Sequence, residues 1–277
     1  MCAIRLLHNI SPKCRIDFKT GGRSMSACKQ MADKMSSRFQ EYLLTKNGTR
    51  VSISEYREVL AKITGKNLNL KVEQLKENTV NASVCPDIKY YAYSNSPLIY
   101  TDYDGFRMSV RKKKDKIMCS DSTLVHETRH LFDMMCNPKY IISSHSQYVR
   151  NDDLMSQCSK VKNFVCSWGK YKPKRILGVK KSTFEKELRE KIDGMNNELA
   201  IRILQLSRYH LLSERNAYLD SDKYYMKQLL SKPKILVPLI LSHIKTMQGI
   251  QFYEKQRVLK KIIKEFIHKE RFKNLKK

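Results

Sequence analysis

Residues 124–132 have the sequence Leu-Val-His-Glu-Thr-Arg-His-Leu-Phe, which places two histidines and a glutamate between apolar residues. Because positions i and i+4 lie on one face of an α-helix, the imidazoles of His126 and His130 can face one point. Two neutral imidazoles suit zinc and leave room for a third protein ligand and a water. The carboxylate of Glu127 can accept a proton from that water. The spacing therefore predicts a helix with a catalytic zinc site.

The residues that flank this motif help to decide whether its helix is buried. They are apolar on both sides: Leu124, Val125, Leu131, Phe132 and Met135. An apolar helix of this kind packs into a core, where histidine and glutamate side chains are costly unless they find partners. A metal ion would be such a partner. The alternative is a surface helix whose histidines are solvated.

A zinc site of this type needs a third protein ligand. Apolar residues recur every three or four positions from Phe184 to Leu206, which predicts one long helix that tolerates Gly194. Extending its inward face gives His210 and then Glu214. A carboxylate there needs a cation, and a metal held by two histidines would supply it. Glu214 is the predicted ligand, with a lysine salt bridge, or exposure after a break near Ser207, as alternatives.

Four other residues compete for the same role. Asp133 shares a face with His126, but a hydrogen bond to a ligating histidine suits it better. Cys136 stands ten residues after His126, at a known third-ligand spacing. The glycine that turns the chain in that pattern is replaced by Asp133, so the helix should continue and carry Cys136 away. His145 and His210 are the remaining alternatives.

The segment before the motif predicts a small antiparallel sheet. Asp104-Gly105 beside alternating apolar and polar residues at 106–111 is typical of a hairpin. Residues 112–115 form a charged turn in this prediction, and residues 116–119 return as a short strand. Ser120, Asp121 and Ser122 are N-cap candidates for the motif helix. An edge of this sheet could pair with an extended peptide, or the hairpin could be only structural.

Caps and apolar spacing predict helices in the remaining sequence. They are 24–44 closed by Asn47-Gly48, 52–63 opened by the capping box Ser52–Glu55 and ended by Gly65, 154–165, a helix opened by the capping box Ser182–Glu185, and two helices within 232–277 separated near Gly249. Residues 1–23 are expected to be irregular. The expected fold is α+β and predominantly helical, with a helical segment at 1–85, a catalytic core at 86–230 and a basic helical segment at 231–277.

The charge of the chain favours anionic partners. Its 277 residues include 54 Lys+Arg against 27 Asp+Glu, a formal net charge of +27. Such an excess favours nucleic acid or an anionic membrane surface. Lysine is spread along the whole chain, however, so the total could instead reflect an AT-rich coding bias. The helix predicted near the carboxyl end has an apolar face that could lie on a membrane, bind a partner or pack against the rest of the chain. Its residues are Leu259, Ile262, Ile263, Phe266 and Ile267.

Cysteines and apolar stretches bear on the cellular location. The 8 cysteines lack paired spacing, which favours free thiols in a reducing compartment. The first residues lack the apolar run of a secretory signal. The longest apolar stretch, Ile235 to Leu241, is too short to span a bilayer. The cytoplasm is the expected location, with signal-independent export as an alternative.

With these residues in view, the chain resembles the zincin metallopeptidases and, among them, the gluzincin arrangement. His126 and His130 match the first two zinc ligands of that family, and Glu127 matches its general base. Glu214, with Ala217 three residues later, is similar to the ExxA pattern around the third ligand of several gluzincins and of ImmA/IrrE-like proteins. The resemblance is confined to residues 98–136 and about 208–225.

The resemblance implies a zincin-like catalytic core that binds Zn²⁺ and hydrolyses a peptide or protein substrate. Glu127 would move a proton from the attacking water to the leaving amine. His210 and Tyr218 are the candidates for stabilising the oxyanion, with Tyr209 and Tyr140 behind them. Two further interpretations are a nucleic-acid-associated, SprT-like metalloprotease and a non-enzymatic basic protein that binds nucleic acid or a membrane surface.

Overall fold

The computed structural model describes residues 25–75, 82–92, 99–137, 152–168, 181–230 and 252–269. Most of these residues are helical, so the α+β, predominantly helical class is confirmed. The elements are α1 (Met25–Thr45), α2 (Ile53–Thr64), β1 (Leu70–Gln74), β2 (Ala82–Ala92), β3 (Ile99–Val110), β4 (Lys112–Lys113), β5 (Lys116–Ile117), α3 (Asp121–Cys136), α4 (Asp152–Ser167), α5 (Lys181–Ile192), α6 (Asn197–Leu230) and α7 (252–269). The predictions for residues 1–23, for Ile235–Leu241 and for a break near Gly249 lie outside the described residues.

The chain divides into two compact units. The first comprises Met1–Arg150 and Asn216–Lys234, and the second comprises Asn151–Arg215 and Ile235–Lys277. Helix α6 is continuous from Asn197 to Leu230, so one part of it belongs to each unit. The motif helix α3 lies in the first unit, where it packs against α1 and β2.

The sheet of the first unit has three strands in the order β1-β3-β2. Strands β2 and β3 pair antiparallel, but β1 pairs parallel with β3, with Leu70 opposite Phe106. The sheet is therefore mixed and not purely antiparallel as predicted, because β1, which lies outside the segment predicted to form strands, pairs parallel with β3. Parallel strands need a long connection, and the residues between β1 and β3 include the whole of β2.

Asp104-Gly105 lies inside β3, so the predicted turn at this dipeptide is wrong. Asp87 pairs with Gly105 and Ile88 pairs with Tyr103, which leaves Asp104 as the extra residue of a bulge. A Cβ on Gly105 would lie 2.1 Å from the backbone oxygen of Asn69. The glycine permits a close approach of two backbone segments, which is the other common reason for glycine within a strand.

A second, two-stranded sheet leads into α3. Strands β4 and β5 enclose a turn at residues 114–115, so the predicted charged turn is shorter than 112–115 because residues 112–113 are a strand, and the predicted returning strand is confirmed only at residues 116–117. The N–H of Ile53 donates to the oxygen of Asp115 at 2.7 Å, so the hairpin is fixed to the start of α2. The Ser120 hydroxyl then accepts from the N–H of Thr123 at 3.2 Å and caps α3 as predicted. The start of the motif helix is thereby anchored.

Most predicted helices are confirmed, but the region around Gly194 differs. Helix α2 begins after the N-cap Ser52 and ends at Gly65, whose φ is +69°. Gly194 has a φ of +73° and separates α5 from α6, so the prediction of one continuous helix is wrong. A glycine in the left-handed conformation ends a helix readily. Ser182 lies within α5 and is not its N-cap, because the helix already begins at Lys181.

Candidate metal centre

Helices α3 and α6 run antiparallel along each other. Near the start of α3, Asp121 accepts a hydrogen bond from the Tyr224 hydroxyl at 3.1 Å. Near its end, Asp133 accepts one from the Asn216 amide at 3.1 Å. Glu214 lies two residues before Asn216 on the same uninterrupted helix. The predicted continuation of α6 through Glu214 is confirmed.

His126 and His130 bring two ring nitrogens together on one face of α3. Their Nε2 atoms are 3.1 Å apart, and both side chains are half-buried. Two nitrogens bound to one tetrahedral zinc ion, each at about 2.0–2.1 Å, lie about 3.3 Å apart. Burial, and secondarily the Arg129 guanidinium, lowers the pKa of His130 to about 4. The ring is therefore neutral near pH 7, which is the form that binds metals.

Glu214 completes a group that could hold a metal ion. One ligand atom from each of His126, His130 and Glu214 lies within 4.8 Å of the other two, the single such group among the described residues. Around a shared zinc ion these atoms would be about 3.3 Å apart, so Glu214 would approach by up to about 1.5 Å. A rotamer change of a glutamate covers that distance without backbone movement.

Glu127 lies beside the first histidine with only 9% of its surface exposed. The negative charge of its carboxylate acts electrostatically on the thiol of Cys119, which lies just before α3. Burial, and after it the Glu127 carboxylate, raises the pKa of that thiol to about 12.

The two predicted auxiliary residues also lie next to this group. The ring of Tyr218 meets the ring of His126 edge to face, with the centroids 4.6 Å apart. The Nε2 atom of His210 is 3.7 Å from an oxygen of Glu214. His210, Glu214 and Tyr218 are spaced by four residues, so α6 presents them on one face. Tyr209 packs instead against the guanidinium of Arg208, 5.7 Å from its ring centroid.

The alternative third ligands have other partners or positions. Asp133 accepts hydrogen bonds from Arg129 Nε at 2.9 Å and from Asn216, so the predicted bond to a ligating histidine is wrong. Cys136 is buried in the last turn of α3 and outside the metal-binding group, as predicted from the continuous helix. His145, like Tyr140, lies outside the described residues.

Thr128, between Glu127 and His130, fastens α3 to α2. Its hydroxyl donates to the backbone oxygen of Leu124 at 2.6 Å. The hydroxyl oxygen of Thr128 lies 2.8 Å from the hydroxyl oxygen of Tyr56, a residue that is fully buried. Since Thr128 uses its proton on Leu124, the Tyr56 hydroxyl is the donor of the second bond. No role for Thr128 was predicted from the sequence.

Arg129 is the other residue that the sequence reasoning missed. Its side chain is 1% exposed, and its Nη1 atom is 2.7 Å from Asp33 on α1 and 2.6 Å from Asp220 on α6. Together with Asp133 and Asn216, these residues form the Arg129 network. Burial raises the pKa of Asp133 to about 6 against the opposing charge of Arg129. The i,i+4 spacing of Arg129 and Asp133 was the available signal in the sequence.

Comparisons with models of protein families, with curated proteins and with solved structures find no match to this chain. In the described part of the chain, no helix is long and apolar enough to cross a membrane. Cys28, Cys85, Cys119, Cys136 and Cys166 are free thiols, as expected from their spacing.

Proposed function

We propose that the protein is a zinc-dependent peptidase with its metal held by His126, His130 and Glu214. The observation that carries the proposal is the meeting of two imidazole nitrogens, 3.1 Å apart, with a carboxylate from a distant helix. Two imidazoles and one carboxylate are the donor set of a common class of catalytic zinc sites, which keep a fourth position for water or substrate. This donor set also fits zinc better than magnesium or calcium, which prefer oxygen ligands.

The remaining residues of the site fit the hydrolysis of an amide bond. When bound, zinc would make water a nucleophile at neutral pH and polarise the substrate carbonyl. Glu127 accepts a proton from the attacking water and donates it to the leaving amine. His210 and Tyr218, on the same face of α6 as Glu214, would donate a hydrogen bond to the oxygen of the attacked carbonyl.

Strand β2 is a suitable place for an extended peptide substrate. It is an outer strand of the three-stranded sheet, and it contacts the motif helix α3. An outer strand can accept a peptide as an additional strand through backbone hydrogen bonds, with side-chain pockets providing selectivity. The proposed substrate is therefore an extended segment of a peptide or protein.

The first test combines zinc content with peptide hydrolysis. We expect about one zinc per chain in the purified protein and cleavage of members of a peptide library. Glu127→Gln should keep the zinc and lower the hydrolysis rate by about 10²–10⁴-fold, because it removes the group that moves the proton. Full activity of this variant would refute the assigned role of Glu127.

Two glutamate variants test the metal ligand. Glu214→Ala should lower the zinc content, whereas Glu190→Ala, at an exposed position on α5, should leave it unchanged. Equal zinc in both variants would move the third ligand elsewhere. Absence of zinc in the wild-type protein, even after reconstitution, would refute the proposed function as a whole.

A second candidate function is favoured by the hairpin of β4 and β5. Residues 111–116 are Arg-Lys-Lys-Lys-Asp-Lys, and most of them are exposed. The Asp115 carboxylate is turned toward Ser54, whose hydroxyl donates to it at 3.3 Å. Such a basic turn fits the phosphate backbone of nucleic acid, which would make the protein a nucleic-acid-associated metalloprotease.

The salt dependence of DNA affinity distinguishes this second candidate from non-specific adsorption. Binding to a short DNA duplex should weaken steeply with salt, with a slope of about −0.9 in log affinity per phosphate contact. Replacing Lys112, Lys113 and Lys114 by serine should reduce the slope by about 3 if each contacts a phosphate. An unchanged slope would exclude the hairpin as the binding surface.

A further inference from the structure

We propose that Arg129 is a positioning residue for the third metal ligand. Through Asp220 and Asn216 it fixes α6 in the register at which Glu214 faces the two histidines. The inference rests on the proposed function, because it assigns a role toward the metal that this site would hold. Arg129 itself touches neither metal nor substrate in this role.

The guanidinium of Arg129 lies between three helices. Arg129 stands directly before His130 in α3, and 1% of its side chain is exposed. It pairs with Asp133 on the same helix, with Asp33 on α1 and with Asp220 on α6. One residue of the motif thus joins three helices through charge-assisted hydrogen bonds, which are shorter and stronger than neutral ones.

The Arg129 network holds two neighbouring turns of α6. Asp220 bonds to Arg129 Nη1 at 2.6 Å, and Asn216 bonds to Asp133, which Arg129 also holds. Asn216 and Asp220 are four residues apart, so they form one row along α6. Glu214 and Tyr218 form a second row, and the ring of Tyr218 contacts His126.

These two rows define both the rotation and the axial position of α6 beside α3. A slip of one residue would rotate the helix by about 100° and shift it by about 1.5 Å. Such a slip would break the bonds of Asp220 and Asn216, and it would turn Glu214 away from the histidines. The Arg129 network therefore specifies a geometry that the metal site needs.

Burying the charges of the Arg129 network costs free energy, because the ions lose their hydration. A buried ion pair rarely stabilises a fold more than apolar residues of the same volume would. Its bonds are directional, however, so they favour one arrangement of the helices where an apolar contact would tolerate several. Arg129 therefore contributes more to the position of Glu214 relative to the two histidines than to the free energy of unfolding.

A double-mutant cycle tests the inference, with zinc affinity measured by competition against a chromophoric chelator. Asp220→Asn should weaken zinc binding about tenfold, within the range known for residues that orient metal ligands. In a Glu214→Ala background the same change should cost less than twofold, because no third ligand is left to misplace. Asn216→Ala provides a second, milder variant with the same expected pattern.

Asp33→Asn is the matched control. It removes a carboxylate from the same guanidinium, but on α1, so it should lower the melting temperature while zinc affinity stays within about twofold. If Asp220→Asn and Asn216→Ala weaken binding equally with and without Glu214, or leave the wild-type affinity unchanged, the inference is overturned. A wild-type protein that binds no zinc would overturn the proposed function itself, so the two failures are distinguishable.

Discussion

Two arginines of this protein hold carboxylates in contrasting surroundings. In the first unit, Arg129 is 1% exposed and is surrounded by aspartates from three helices. In the second unit, the side chain of Arg189 on α5 is 39% exposed and lies 2.7 Å from both Glu185 and Glu265. The contact distances are alike, so they do not tell the two clusters apart.

Burial makes the difference between the two clusters. Water can replace a partner of Arg189, since the ions are already partly solvated and each bond contributes little. Asp33 is 39% exposed, but Asp133 and Asp220 are only 2% and 7% exposed, so water cannot replace Arg129 beside these two aspartates. Loss of Arg129 would therefore leave their charges in a medium of low polarity. The contrast teaches that the same bond length can belong to a contact that is dispensable or to one that is not.

The largest effect should follow from Arg129→Met. This change keeps much of the side-chain volume but leaves Asp33, Asp133 and Asp220 without their shared cation. We expect a loss of about 3–5 kcal/mol in the free energy of unfolding. Urea denaturation followed by circular dichroism would measure it, and a loss below about 1 kcal/mol would remove the contrast between the clusters.

The two clusters should also respond to pH with opposite sign. Burial raises the pKa of Asp133 to about 6, so its contribution to stability is complete below the ordinary value of 3.8 and is lost as the pH rises through 6. Hydrogen bonds from Lys261 and Arg189 lower the pKa of Glu185. Its contribution is therefore present above the ordinary value of 4.5 and is lost as the pH falls.

Unfolding free energies between pH 3.5 and 6.5 test this opposition. Asp133→Asn should make stability increase more steeply with pH between about 4 and 6, because it removes a contribution that declines there. Glu185→Gln should make the increase at the acidic end shallower. Slopes that change in the same direction for both variants would contradict the assignment.

The smallest effect is expected for Arg189→Met. Glu185 keeps Lys261, whose Nζ is 2.8 Å away, and Glu265 is accessible to water. The loss should stay below about 1 kcal/mol, in the range of exposed ion pairs. The same urea titration used for Arg129→Met would measure it, and a loss of 3 kcal/mol would mean that exposure does not set the strength of these clusters.

Features that depend on neighbours in sequence could be predicted well. The caps at Ser52 and Ser120 are bonds between a hydroxyl and a backbone N–H three residues later, so the local sequence contains both partners. The meeting of the His126 and His130 rings on one face of α3 follows from helix geometry in the same way. Glu214 followed from the phase of an apolar face, because α6 is continuous where that phase was extended.

Features that depend on distant partners were missed or wrong. Asp104-Gly105 has the composition of a turn, and only the approach of Asn69 shows why the glycine lies within a strand. Gly194 could be tolerated in a helix or could end one, and the sequence nearby permits both. No role was predicted for Arg129, because its partners on α1 and α6 lie 96 and 91 residues away.

Those long separations have a consequence for the order in which the protein is made. When a ribosome has completed the motif helix, Asp33 is already present, but Glu214 and Asp220 have still to be synthesised. At about 5–20 residues per second, the 91 residues between Arg129 and Asp220 take about 5–18 s. During that interval the growing chain contains His-Glu-Thr-Arg-His without the third ligand of the proposed site. The candidate site is therefore complete only after α6 has been made, long after the motif helix.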